Sequence, residues 1–92
     1  MYLHIGQDIV LRRDEIIGVF DMDKATVQQK TRLFLSEQQK NGKITYVGDD
    51  LPQSFIVTDR GIYVTVISAA TLKKRLGKIF EQEEQNGTAT RL

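Results

Sequence analysis

The sequence predicts an α+β domain of order β-β-β-α-β-β-β-α, with a mixed or antiparallel sheet and two helices. Three observations carry that assignment. Apolar residues alternate with period two near the N-terminus and again beyond Lys43. They fall at helical spacing in two separate stretches, and glycine-bearing turns divide the segments.

Tyr2 to Ile5 sets Leu3 and Ile5 on one face and Tyr2 and His4 on the other. Gly6-Gln7 is the glycine-first pair of a type II′ hairpin turn, so a returning strand is expected over Asp8 to Leu11. After the polar break Arg12-Arg13-Asp14, the run Ile16-Ile17-Gly18-Val19-Phe20 is nearly unbroken in its hydrophobicity and reads as the central strand, covered on both faces. Asp21 to Ala25 connects to a helix expected to start near Thr26, because Thr26 and Gln29 have the spacing of a capping box. Its apolar stripe is Val27, Thr31, Phe34 and Leu35, and Asn41-Gly42 stops it. Leu33 lies off that stripe, which makes it a surface leucine or a contact with another subunit.

Ile44 to Val47 forms the next strand, and Gly48-Asp49-Asp50-Leu51-Pro52 turns the chain at its single proline. Gln53 to Thr58 and Ile62 to Ile67 form a hairpin across Asp59-Arg60-Gly61, read as a three-residue loop with glycine in the left-handed position. Ser68 is placed to cap a last helix whose stripe is Leu72, Leu76, Ile79 and Phe80. The expected domain covers 1–84, and 85–92, which lacks periodicity, is expected to be a flexible tail.

At 92 residues and 10.5 kDa the chain suits one domain that buries roughly 64% of its unfolded surface, so self-association would add useful burial. Thirteen basic against twelve acidic residues give a net charge of +1, which makes any nucleic-acid surface a matter of local clustering. The absence of cysteine excludes disulfides, a thiolate nucleophile and cysteine-held metals. The N-terminus lacks the basic start and apolar run of a signal peptide, and no apolar stretch approaches 18 residues. A cytoplasmic location without membrane contact is the expectation.

His4 is the only histidine and Ser36, Ser54 and Ser68 are the only serines, with no nucleophile-elbow pattern around them. No catalytic residue, cofactor or metal is therefore expected. Asp21 and Asp23 complement a helix N-terminus, and Asp49-Asp50 is turn chemistry; neither pair has calcium-loop spacing. Lys73-Lys74-Arg75 with Lys78 stands out, because like charges at i and i+4 destabilise a helix and offer a row of donors to phosphates. Arg12-Arg13 is a second, smaller cluster. A solvated helix face is the commoner explanation for such a run in a single chain, but a symmetric ring would add the same patch from every copy.

Met1-Tyr2-Leu3-His4-Ile5-Gly6, Ile16 to Asp21, Ser54 to Thr58 and Ser68-Ala69-Ala70-Thr71-Leu72-Lys73-Lys74-Arg75 together resemble the RemA/RemB family of extracellular matrix regulatory proteins of spore-forming Gram-positive bacteria. The resemblance covers about residues 1–80 and is stronger to the RemB branch. It implies a small cytoplasmic regulator without enzyme activity. In the RemA branch it implies ring assembly, a fold likened to Hfq-like and LytTR-like domains, and DNA-binding activation of biofilm-matrix and osmolyte genes. Where that branch is arginine-rich this chain has Gly48-Asp49-Asp50-Leu51-Pro52, and near another DNA-contacting arginine it has Asp14-Glu15. Carboxylates there repel phosphates, so DNA contacts would fall to Arg12, Arg13, Lys73, Lys74, Arg75 and Lys78. The expected partners are further copies of the chain in a ring or dimer, double-stranded DNA, or a protein partner. A protein-binding adaptor that leaves nucleic acid alone is the competing reading, and RNA binding, with only Tyr2, Tyr46 and Tyr63 to stack on bases, comes third.

Overall fold

The computed structural model describes residues 2–85, with side chains through residue 77. Strands β1 (Tyr2–Gly6) and β2 (Ile9–Arg12) form a hairpin of their own. A four-stranded sheet follows in the order β3-β5-β6-β4, built from β3 (Ile16–Asp21), β4 (Ile44–Val47), β5 (Ser54–Thr58) and β6 (Gly61–Thr65). Pairing is antiparallel from β3 to β6, and β4 runs parallel to β6. The helices are α1 (Met22–Ala25), α2 (Gln29–Lys40) and α3 (Ala69–Gln85). The α+β class and the order of the strands are as expected, with an additional single-turn α-helix and a 3-10 turn at Arg13–Glu15.

Register divides the sheet into two apolar faces. Val19, Ile56 and Tyr63 lie side by side across β3, β5 and β6, and Val47 joins them on that face. The β1–β2 hairpin covers this face with Leu3, Ile5 and Leu11, and α3 covers it with Ala69, Leu72 and Leu76. The opposite face carries Phe55, Ile62 and Val64, packed by Met22 and Ala25 of α1 and Leu35 of α2. The strand buried on both sides is thus β5, where Phe55 and Ile56 point in opposite directions and are both buried.

Several expectations are corrected. The run Ile16–Phe20 is an edge strand, not the central one: β3 pairs only with β5, a bulge interrupts it between Ile16 and Gly18, and Ile17 is 70% exposed. An unbroken apolar run reports apolar faces but not which element covers them. The first hairpin turns on Gln7-Asp8, both at positive φ (47° and 63°), which is the type I′ pattern rather than II′ on Gly6-Gln7. The second hairpin has a two-residue loop, Asp59-Arg60, because Thr58 pairs directly with Gly61. The Thr58 hydroxyl holds it, accepting from the Arg60 and Gly61 amides and donating to the Gly61 carbonyl. Thr26 does not open α2. Its amide and hydroxyl both bond to the Met22 carbonyl (3.1 and 2.7 Å) and close α1, which leaves Val27 in the connection and exposed. Arg32 then fixes that connection by donating to the Thr26 and Val27 carbonyls. Ser68 caps α3 as expected, accepting from the Thr71 amide at 3.2 Å. The side chains of Ile79 and Phe80, and residues 86–92 of the expected tail, lie outside the described residues.

Two positions test this architecture. Thr65 is buried, and its hydroxyl donates to the Ile5 carbonyl at 2.6 Å while accepting from the Ile67 amide. Thr65→Val leaves both partners without it and should lower unfolding free energy in urea by about 1 to 3 kcal/mol. At Gly61, φ is +154° and an added Cβ would meet the Lys43 carbonyl oxygen at 2.7 Å. That oxygen accepts from the Ile62 amide and joins β4 to β6. Gly61→Ala should therefore cost about 1 to 3 kcal/mol, read as a fall in the urea midpoint.

Candidate functional site

The two basic clusters are far apart in sequence, and β3 and α3 bring part of each together. Arg12 ends β2, and Arg13–Glu15 makes a single 3-10 turn into β3. This turn is held by the Arg12 amide donating to the Glu15 carboxylate at 3.1 Å and by the Asp59 amide donating to the Glu15 carbonyl. Because α3 lies against β1 and β3, Arg13 and Lys73 line one shallow groove of about 210 Å³. Its apolar wall is Ile16, Ile17, Val19 and Leu76.

The remaining candidates separate. The Arg12 guanidinium pairs with the Asp14 carboxylate at 3.3 Å, with both side chains well exposed, so the contact is weak and screened by salt. Arg75 turns to the N-terminal hairpin and donates from Nη1 to the His4 carbonyl at 2.9 Å. It therefore ties α3 to β1 as well as carrying charge. Lys73 and Lys74 are exposed, Arg13 and Arg75 half-buried. Lys78 belongs to α3, but its side chain lies outside the described residues.

Helix electrostatics do not account for this charge distribution. The first turn of α3 has no acidic residue and the last turn no basic one, whereas Lys73-Lys74-Arg75 follow directly on the first turn. A helix arranged for its own stability would carry the opposite signs. The acidic pairs have local roles: an Asp21 carboxylate oxygen accepts from the Lys24 amide and caps α1, and Asp50 accepts from the Leu51 amide in its turn. Among the described residues no group of three or more His, Asp or Glu is arranged to hold a metal. No helix among them is long and apolar enough to cross a membrane.

Two features were not singled out from the sequence. The bulge that turns Ile17 outward beside Arg13 has no local signature other than Gly18. The second is an apolar groove between α2 and the sheet, where Phe20 and Phe55 stack with ring centroids 5.2 Å apart and Phe34 is 43% exposed. Phe34, expected in the apolar stripe of α2, is left open at this groove instead, because the helix buries no residue fully.

Comparison with known proteins gives this geometry a context. The family model described as RemA-like, extracellular matrix regulatory protein A-like, matches residues 2–76. Extracellular matrix regulatory protein B of Bacillus subtilis (strain 168) is 37% identical over 81 residues, spanning 88% of this chain and 96% of that protein.

The different positions of the basic side chains predict different responses. Arg75→Ala should lower stability by about 1 kcal/mol through loss of the link to His4. Lys73→Ala, on an exposed helix face, should change it by less than about 0.5 kcal/mol. Thermal unfolding of the two variants side by side checks the contrast.

Proposed function

This chain belongs to the RemA-like family of extracellular matrix regulatory proteins, and we propose that it acts as a non-enzymatic, homo-oligomeric regulator that contacts the DNA phosphate backbone to control biofilm-matrix genes. The observation that carries the reading is the convergence of Arg13 and Lys73 on one groove, with Lys74 exposed on the same helix. Donors of this kind suit phosphate oxygens, and contacts to them position a protein on a duplex without reading its sequence. With a net charge of only +1, one copy holds DNA weakly; several copies presenting the groove on one side add their potentials.

Self-association is supported by the surface that one copy leaves open. Both outer strands of the sheet, β3 and β4, have one unpaired edge among the described residues. Ile17, Phe20, Leu33, Phe34 and Tyr46 are all exposed apolar or aromatic side chains. Closed assembly of this kind places every basic groove equivalently.

A second reading, a protein-binding adaptor, is favoured by Ile17, which puts an exposed apolar side chain in the basic groove, and by the exposed Asp14 carboxylate close to Arg12. Such a surface suits a protein partner better than a phosphate row.

Fluorescence anisotropy of AT-rich and mixed duplexes at several salt concentrations separates the two. The DNA reading expects log affinity to fall linearly with log salt, by about 0.9 per neutralised phosphate, with similar affinity for unrelated sequences. Lys73→Ala/Lys74→Ala should flatten that slope by about 1.8 without unfolding the protein, because it leaves Arg75 on His4. An unchanged slope removes this patch from the interface, and no binding at low salt by folded protein favours the adaptor.

A further inference from the structure

We propose that the C-terminal end of α3, residues 78–85, docks in the groove between α2 and the sheet of a second copy, joining subunits head to tail. The inference rests on the homo-oligomer reading above and gives it a defined surface.

The groove consists of two hollows of about 230 and 240 Å³ on either side of Phe34. The floor of the first hollow is apolar, formed by the stacked Phe20 and Phe55, and the second is lined by polar and apolar groups alike. Its rim is cationic, with Lys30 beside the first hollow and Lys43 and Arg60 beside the second, against one carboxylate, Asp59. Helix α2, which forms one wall, contributes no fully buried residue. An apolar floor left open within a cationic rim fits a short segment that pairs large apolar residues with carboxylates.

The chain supplies such a segment in Lys78-Ile79-Phe80-Glu81-Gln82-Glu83-Glu84-Gln85. Ile79 and Phe80 match the floor, and Glu81, Glu83 and Glu84 match the rim. These carboxylates sit at the C-terminal end of a helix, where the macrodipole disfavours them, so helix stability does not explain their placement.

Topology makes the contact intermolecular. Helix α3 packs on the sheet face formed by Val19 and Ile56, whereas the groove lies on the face formed by Phe55 and Val57. Held on its face by Ala69, Leu72 and Leu76, α3 is separated from its own groove by the thickness of the sheet, so the helix end that reaches the groove is that of another copy. A groove on one face receiving a helix end from the other is a heterologous contact, which closes into a ring or continues as a filament.

The test is light scattering after size exclusion on the full chain at low and high salt. A rim variant, Lys30→Glu/Lys43→Glu/Arg60→Glu, and an end variant, Glu81→Lys/Glu83→Lys/Glu84→Lys, should each weaken assembly at least tenfold. The end variant places positive charge where the helix dipole favours it, so its loss of assembly cannot come from a weakened helix. The six substitutions in one chain, or the two triple variants mixed, restore opposite charges and should restore assembly. Wild-type mass in either triple variant, or no recovery in the combined chain, overturns the docking surface while leaving oligomerisation standing. A monomeric wild-type chain overturns both.

Discussion

The β5–β6 hairpin is the constraint on which the domain depends, because it is apolar on both faces and each face needs a separate cover. Ile56 and Tyr63 face one way, and Phe55, Ile62 and Val64 the other. A small chain meets this demand with two different devices, a β-hairpin plus a long helix on one side and two short helical segments on the other. The buried Thr65 hydroxyl, donating to the Ile5 carbonyl, gives the N-terminal hairpin a fixed docking position on the sheet although it shares no ladder with it. Arg75 repeats the arrangement from α3, through the carbonyl of His4 one residue earlier. The hairpin is thus held from two sides by polar groups at its margin and by Leu3, Ile5 and Leu11 in its interior.

The two covers differ in completeness, and the difference divides the surface. The hairpin and α3 bury Leu3, Ile5 and Leu72 almost wholly, which fixes α3 and so its basic face beside β3. On the other side α2 contributes only partly covered residues, and the stacked Phe20–Phe55 pair stays open to a groove. The basic face beside β3 and the incompletely covered apolar one are the two surfaces on which the proposed DNA contact and the proposed self-association rest. Among the described residues the outer edges of β3 and β4 are likewise left unpaired.

Much of the local structure was legible residue by residue. Ser68 announced the start of α3, Leu72 and Leu76 the stripe it packs on the core, and Gly61 a turn into β6, though as the first residue of that strand and not within a three-residue loop. These signals are local: a cap, a helical period and a glycine at positive φ act within a few residues of their cause. The misreadings were local signals with a tertiary outcome. Thr26 has the spacing of a helix cap, but its hydroxyl found the Met22 carbonyl first and ended one helix instead of starting the next. Ile16 to Phe20 has the composition of a central strand, but composition cannot show that Ile17 bulges outward at an edge.

By itself the sequence determined the α+β class, the order of the strands and of the two longer helices, the family resemblance and the residue types available for chemistry, because each of these is written in composition and short-range periodicity. Tertiary structure alone decided which strand is central, that β4 runs parallel beside β6, and that Arg13 meets Lys73 while Arg75 is drawn to His4. Those outcomes depend on contacts between segments as much as 71 positions apart. Such contacts are selected by competition for two buried faces, and no window of neighbouring residues contains both competitors.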